Sequence, residues 1–210
     1  MPPPELPALL GEVRELTARY QAGRPNCFEA FRQLTALLLH LTVLAPQGGV
    51  RLARGRRPDT LALGGWSGPD DPLPLLDNRY LRLSFTLFMA QTPEGPRLKV
   101  QDSSYQYQAD RDGRDWIFRY DYLRVPPHPH PAAHLQIRGG LAGGYLSAGT
   151  PLERFHFPTG RVSLEGVIRL LADQFHVPCN EPPEIWRPVL AESEQAFLAI
   201  ARRPLSGPAE

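Results

Sequence analysis

Residues 79–89 of this 210-residue chain read RYLRLSFTLFM, with an apolar side chain at every second position from Leu81 to Met89. A period of two is typical of a β-strand that turns one face to the core and the other to solvent. Residues 97–108, RLKVQDSSYQYQ, predict a second strand, but the parity of the apolar positions changes midway. That change predicts a bulge near residues 102–104.

Three further strands are predicted downstream. The dipeptide at 112–113, Asp-Gly, is a hairpin signal, and residues 115–124, DWIFRYDYLR, then alternate in the manner of a strand. The segment VPPHPHP at 125–131 holds four prolines, so we expect an extended connection there. Strands over 133–138 and 152–157 follow, separated by a glycine-rich loop at 139–150.

Apolar residues at helical spacing flank this sheet. They predict four helices, near 5–22, 26–44, 163–176 and 186–202. The order of elements predicts a single α+β domain, in which an antiparallel meander of about five strands is covered on one face by the N- and C-terminal helices. The residues expected in the core are Leu34, Leu38, Leu83, Phe85, Trp116, Phe118, Leu135, Ile168 and Leu171.

The segment 46–78 is rich in glycine, proline, aspartate and arginine. We interpret it as an irregular loop with at most a brief strand at 60–63. It holds a short basic cluster that can bind phosphate or simply be solvated. The arginines of this cluster are Arg51, Arg54, Arg56 and Arg57. The domain then comprises a helical part at 1–45, this loop, the sheet at 79–157 and the closing helices at 163–202.

Composition excludes several classes of protein. The chain has 23 basic and 22 acidic residues, a net charge of +1, which argues against a protein that coats nucleic acid. No apolar run approaches the roughly 18 residues of a membrane span, and the N-terminal residues lack the pattern of a secretory signal. Cys27 and Cys179 lie far apart, which excludes a disulfide framework. We therefore expect a cytoplasmic protein that does not bind membranes. Nucleotide-binding loops and the common hydrolase motifs are also missing from the sequence.

An aromatic stripe marks the second and third strands. Such a stripe can stack nucleic-acid bases, but large aromatic side chains at strand spacing more often pack beneath helices. We interpret these residues as core. The members of the stripe are Tyr105, Tyr107, Trp116, Phe118, Tyr120 and Tyr122.

The polar positions of the later strands form the candidate site. Strand parity places Arg119 beside Asp121, His134 beside Gln136 and Arg138, and Arg154 beside His156. If the strands are antiparallel neighbours, these side chains converge on one face. His134 and His156 then supply general acid and base, Asp121 orients one of them, and the arginines Arg119, Arg138 and Arg154 bind phosphate. The alternative is an ordinary solvated sheet face with cross-strand ion pairs.

A second histidine pattern invites a metal interpretation. His128, His130 and His134 have the spacing H-x-H-x3-H, and histidine is a common zinc ligand. The prolines hold the first two on an extended segment, however, and no cysteine is near. We predict a solvated loop, no metal site and no cofactor.

The segments WIFRYDY (116–122), HLQI (134–137), FHFP (155–158) and SLEGVI (163–168), with the Pro/His-rich connection between the first two, resemble the core of TumE-type toxins of bacterial toxin–antitoxin systems. The resemblance covers about residues 97–176. It implies that Arg119, Tyr120, Asp121 and His134 are matched positions, with Tyr120 contributing to substrate binding. The N-terminal helices, the arginine-rich loop and the last helix depart from that pattern.

Two functions remain open from the sequence. The first is a toxin-like or defence-associated protein that cleaves RNA without a metal ion. The second is a non-catalytic interaction module or accessory subunit, in which the same face docks on a protein partner, such as an antitoxin.

Overall fold

The computed structural model describes residues 5–23, 26–56, 60–68, 70–93, 95–139 and 156–201. The four predicted helices are present as α1 (Leu6–Gln21), α2 (Cys27–Leu41), α3 (Leu164–Gln174) and α4 (Pro183–Ala201). α4 begins three residues before the expected start, because proline is well suited to the first turn of a helix. α3 begins at the predicted cap, where the Ser163 hydroxyl accepts a hydrogen bond from the Gly166 amide at 2.9 Å.

The sheet is antiparallel and larger than predicted. Its order is β1-β2-β4-β5-β6-β7-β8, with β3 paired to β4 at one end. The strands are β1 (Val50–Arg54), β2 (Thr60–Gly65), β3 (Leu73–Pro74), β4 (Tyr80–Thr92), β5 (Gly95–Gln108), β6 (Trp116–Leu123), β7 (Ala133–Ile137) and β8 (Phe157–Pro158). The α+β single-domain class is confirmed, whereas the count of about five strands is too low.

The additional strands come from the segment 46–78, so its interpretation as an irregular loop is wrong, although the brief strand expected at 60–63 is confirmed as part of β2. β1 pairs with β2 along its whole length, and β2 pairs with β4. The sequence does not reveal this hairpin, because its strands are short and contain arginine and glycine. The predicted strand at 152–157 and the glycine-rich loop lie largely outside the described residues, which resume at His156.

Two irregularities set which side chains face the core. The β4–β5 register shifts where Thr86 pairs with Asp102 and Leu87 with Val100, which confirms the predicted bulge. A second shift places Trp116 opposite Gln108, so Ile117 rather than Trp116 packs against the core. The prediction that Trp116 lies in the core is therefore wrong.

One face of the sheet is covered by the helices and holds the core. The other predicted core residues are buried there, apart from the half-buried Leu135, which packs against its edge. Tyr105, Tyr107 and Phe118 of the aromatic stripe are buried among them, which confirms the core interpretation for these three. No described helix has the length and apolar character needed to span a bilayer. The opposite face carries polar side chains and is the surface of interest.

Candidate active site

Strand pairing aligns the polar side chains of the open face in two rows that cross the sheet. In the first row, Arg82 of β4 pairs with Gln106 of β5, Gln106 with Arg119 of β6, and Arg119 with Gln136 of β7. The second row is Ser84, Ser104, Asp121 and His134. Directly opposed residues on one face of a sheet are in side-chain contact distance. The predicted convergence of Arg119, Asp121 and His134 is therefore confirmed.

Arg119 and Asp121 form the polar centre of this face. The Nε of Arg119 donates to Oδ2 of Asp121 at 2.8 Å, and its Nη2 donates to Oε1 of Gln136. The Arg119 side chain keeps 37% of its exposure and that of Asp121 keeps 18%. A guanidinium has five N–H donors, and Nη1 of Arg119 has no protein partner among the described residues. This side chain is held in place and can still bind an anion.

His134 is buried beneath this centre. Its side chain is only 5% exposed, its Nε2 lies 3.5 Å from Oδ2 of Asp121, and its Nδ1 lies 3.4 Å from the carbonyl oxygen of Pro131. Both ring nitrogens thus face protein acceptors. A neutral imidazole has one N–H and satisfies only one of them. These contacts are typical of a side chain that holds its neighbours in position.

The ring of His156 contacts the rings of two other histidines, both at tilted angles. Its ring centroid lies 4.5 Å from that of His134 and 4.8 Å from that of His130, and its Nε2 lies 3.5 Å from Nε2 of Gln136. Desolvation, followed by the electrostatic influence of His134, His130 and Arg119, lowers the pKa of His156 below its ordinary value of 6.5. His156 is therefore neutral near pH 7; its Nδ1 is buried without a hydrogen-bond partner among the described residues, which leaves Nε2, beside Gln136, as the nitrogen that can accept a proton.

Two connected depressions open this face to solvent. The first, a cavity of about 320 Å³, is lined by Arg119, Asp121 and the three clustered histidines. The second, a groove of about 560 Å³, runs over β2, β4 and β5. Asp102, Ser104 and Arg119 line both, so the groove leads directly to the histidines.

The structure does not bring every predicted site residue into this cluster. Arg138 lies past the end of β7, where it binds the Asp115 carboxylate at 3.2 Å and the Arg114 carbonyl in the β5–β6 loop. Tyr120 lies on the opposite face of β6, because neighbouring residues of a strand alternate. It packs edge-to-face on Phe118 beneath the helices, apart from Arg119 and Asp121. Arg154 lies outside the described residues.

The contact between His130 and His156 is not predicted from the sequence. The place of His130 in a proline-rich connection suggests a solvated side chain, and it is indeed exposed. Its ring nevertheless contacts His156. No signal in the sequence predicts that contact, because the two residues lie 26 positions apart in the chain. Within the described part of the chain, no group of three or more histidine, cysteine, aspartate or glutamate side chains has the arrangement of a metal site.

Comparisons of the chain with protein-family models, with curated proteins and with solved structures return no match. The resemblance to TumE-type toxins therefore stays an expectation from the sequence.

Proposed function

We propose that the protein is a ribonuclease that cleaves RNA through histidine chemistry, without a metal ion, in a toxin-like or defence-associated setting. The observation that carries this proposal is the cluster of His130, His156 and His134 beside the Arg119–Asp121 pair, in a cavity open to solvent. The setting is suggested only by the resemblance of residues 97–176 to TumE-type toxins.

The proposed reaction is an internal transfer at phosphorus. The 2′-hydroxyl of the RNA attacks the adjacent phosphodiester, and the bond from phosphorus to the 5′-oxygen of the next nucleotide breaks. A base removes the proton of the 2′-hydroxyl, and an acid donates a proton to the departing 5′-oxygen. The products are a 2′,3′-cyclic phosphate and a free 5′-hydroxyl. This chemistry needs a neutral base, an acid and a cation to stabilise charge on the phosphate.

The geometry supports particular roles for the residues. His156 is the proposed base, because its lowered pKa keeps it neutral. His130 is the proposed acid, because it is exposed at the rim of the same cavity and contacts His156. Arg119 is the proposed phosphate ligand. His134 is expected from the sequence to act as an acid or base. It is instead the proposed positioning residue, held by Asp121, since both of its ring nitrogens face protein atoms.

The test is cleavage of RNA by the purified protein in the presence of a metal chelator. We expect wild type to produce ends with a cyclic phosphate, and His156→Ala to lose at least about a hundredfold in rate, the lower range for loss of an acid–base group. His40→Ala, which removes an exposed histidine at the end of α2, is the matched control and should retain full activity. Growth arrest on expression should follow the same pattern.

A non-catalytic interaction module is the second candidate, and the burial of His134 favours it. In that case the face docks on a protein partner and Arg119 serves as an anchor. RNA that stays intact with folded wild-type protein would reject the ribonuclease proposal. Cleavage that survives unchanged in both His156→Ala and His130→Ala would reject the assignment of the site.

A further inference from the structure

Apart from Arg119, the groove beside the histidines has no role in the proposed bond cleavage. It is lined by Arg54 of β1, Arg56 just after it, Arg82 of β4 and Arg119 of β6. Arg54 and Arg56 belong to the basic cluster for which the sequence left phosphate binding and simple solvation open. Pairing of β1 with β2 and of β2 with β4 brings these two arginines to the same face as the candidate active site.

The charges of the groove favour an anion. Its lining has four arginines against two carboxylates, those of Asp70 and Asp102. Two arginines share the Asp70 carboxylate, which lies 3.4 Å from Nη2 of Arg56 and 3.8 Å from Nη2 of Arg82. Arg54 has no ion-pair partner in the described parts of the chain. Positive charge in a groove attracts a polyanion more strongly than the net charge of the protein suggests.

The row of paired residues fixes the direction of the groove. Arg82, Gln106, Arg119 and Gln136 lie on four successive strands. With adjacent strands about 4.8 Å apart, Arg82 and Arg119, which lie two strands apart, are separated by roughly 10 Å. A single phosphate at Arg119 therefore leaves Arg82 free to contact a different phosphate of the same strand. The uncharged lining between the arginines includes three small polar residues, Ser84, Thr86 and Ser104, which offer hydrogen bonds to phosphate and sugar.

We infer that the groove binds the backbone of a single-stranded polynucleotide and leads it across β2, β4 and β5 into the histidine cavity. This inference rests on the proposed function and adds its substrate class: an extended single strand of several nucleotides. Arg54 and Arg82 hold phosphates outside the reacting one, and they do not touch the bond that is cleaved.

Binding and cleavage can be tested separately. The binding probe is a fluorescent, fully 2′-O-methylated RNA oligonucleotide, which lacks the attacking hydroxyl, measured by anisotropy at several salt concentrations. Each lost phosphate contact should reduce the slope of log K against log salt by about 0.7. Arg54→Gln and Arg82→Gln should each weaken binding by about fivefold, in the upper range for an exposed ion pair. Arg19→Gln on α1, which also removes one exposed charge, should leave binding unchanged.

The cleavage arm compares a dinucleotide with an oligonucleotide. The double variant Arg54→Gln/Arg82→Gln should cleave the dinucleotide at the wild-type rate and lose kcat/KM only on the oligonucleotide. If wild type cleaves neither substrate but the binding pattern holds, the proposed function fails and the groove assignment stands. Equal binding by the double variant and wild type would overturn the inference, as would displacement of the oligonucleotide by polyglutamate at equal charge concentration, which would point to an acidic protein segment instead.

Discussion

Replacing Glu165 with glutamine should change the way the stability of the protein depends on pH. Glu165 lies in the first turn of α3 and is 6% exposed, facing a small apolar cavity between the helices and the sheet. Its Oε1 accepts a hydrogen bond from the Ser193 hydroxyl of α4 at 2.5 Å. Desolvation, reinforced by the charge of Glu194, raises the pKa of Glu165 above its ordinary value of 4.5, while Ser193 and Arg169 act in the opposite direction.

The sign of the effect follows from proton linkage. Between the unfolded and the folded pKa, the native state holds a proton that the unfolded chain has lost, so the free energy of unfolding falls as pH rises. One proton corresponds to a slope of at most about 1.4 kcal/mol per pH unit. For a chain of this size, that slope lowers Tm by roughly 3–6 °C per pH unit. Glu165→Gln keeps the shape and the Ser193 contact but does not titrate, so this part of the pH dependence should vanish.

The assay is urea unfolding of both proteins at intervals between about pH 4 and pH 8. The stability of the variant relative to wild type should rise with pH above the ordinary glutamate pKa and then level off. Ser193→Ala is the control: loss of its hydrogen bond removes a group that favours the carboxylate, so the fall in stability should extend to higher pH. Parallel stability curves for wild type and Glu165→Gln would refute the reasoning.

Three further predictions concern the helix ends and the histidines. Asn180→Ala should lower the free energy of unfolding by about 1–2 kcal/mol in urea unfolding, because its Nδ2 donates to the carbonyls of three residues at the end of α2, at 2.8–3.1 Å. Ser163→Ala should cost about 1–2 kcal/mol in the same assay, since it removes the cap of α3, whereas Ser163→Thr, whose hydroxyl can still accept from Gly166 and donate to Glu194, should retain most of the capping. If the protein cleaves RNA, the acid limb of its pH–rate profile should lie below the ordinary histidine pKa, and Arg119→Gln should move that limb to higher pH because a positive neighbour of His156 is lost. An acid limb unmoved by Arg119→Gln would contradict the assignment of His156 as the base.

Local periodicity accounts for most of what the sequence predicted correctly. Alternation along β4 and β6 predicts that Leu83 and Arg82 lie on opposite faces of the sheet, and likewise Tyr120 and Arg119. This prediction needs no knowledge of the adjacent strands, because a strand turns successive side chains to opposite faces. The four helices follow from spacing in the same way. The convergence of Arg119, Asp121 and His134 follows once neighbouring strands are assumed to be antiparallel.

Tertiary structure alone decided the rest, because pairing partners and register are non-local. The shift at Gln108 turned Trp116 out of the core, and pairing with β4 turned the segment 46–78 into strands. The contact of His130 with His156 joins two segments that are distant in sequence, and the groove joins arginines of β1 and β4 to the cavity of the histidines. A periodic pattern shows which face a side chain occupies, but which residues meet on that face depends on the order and the register in which the strands pair.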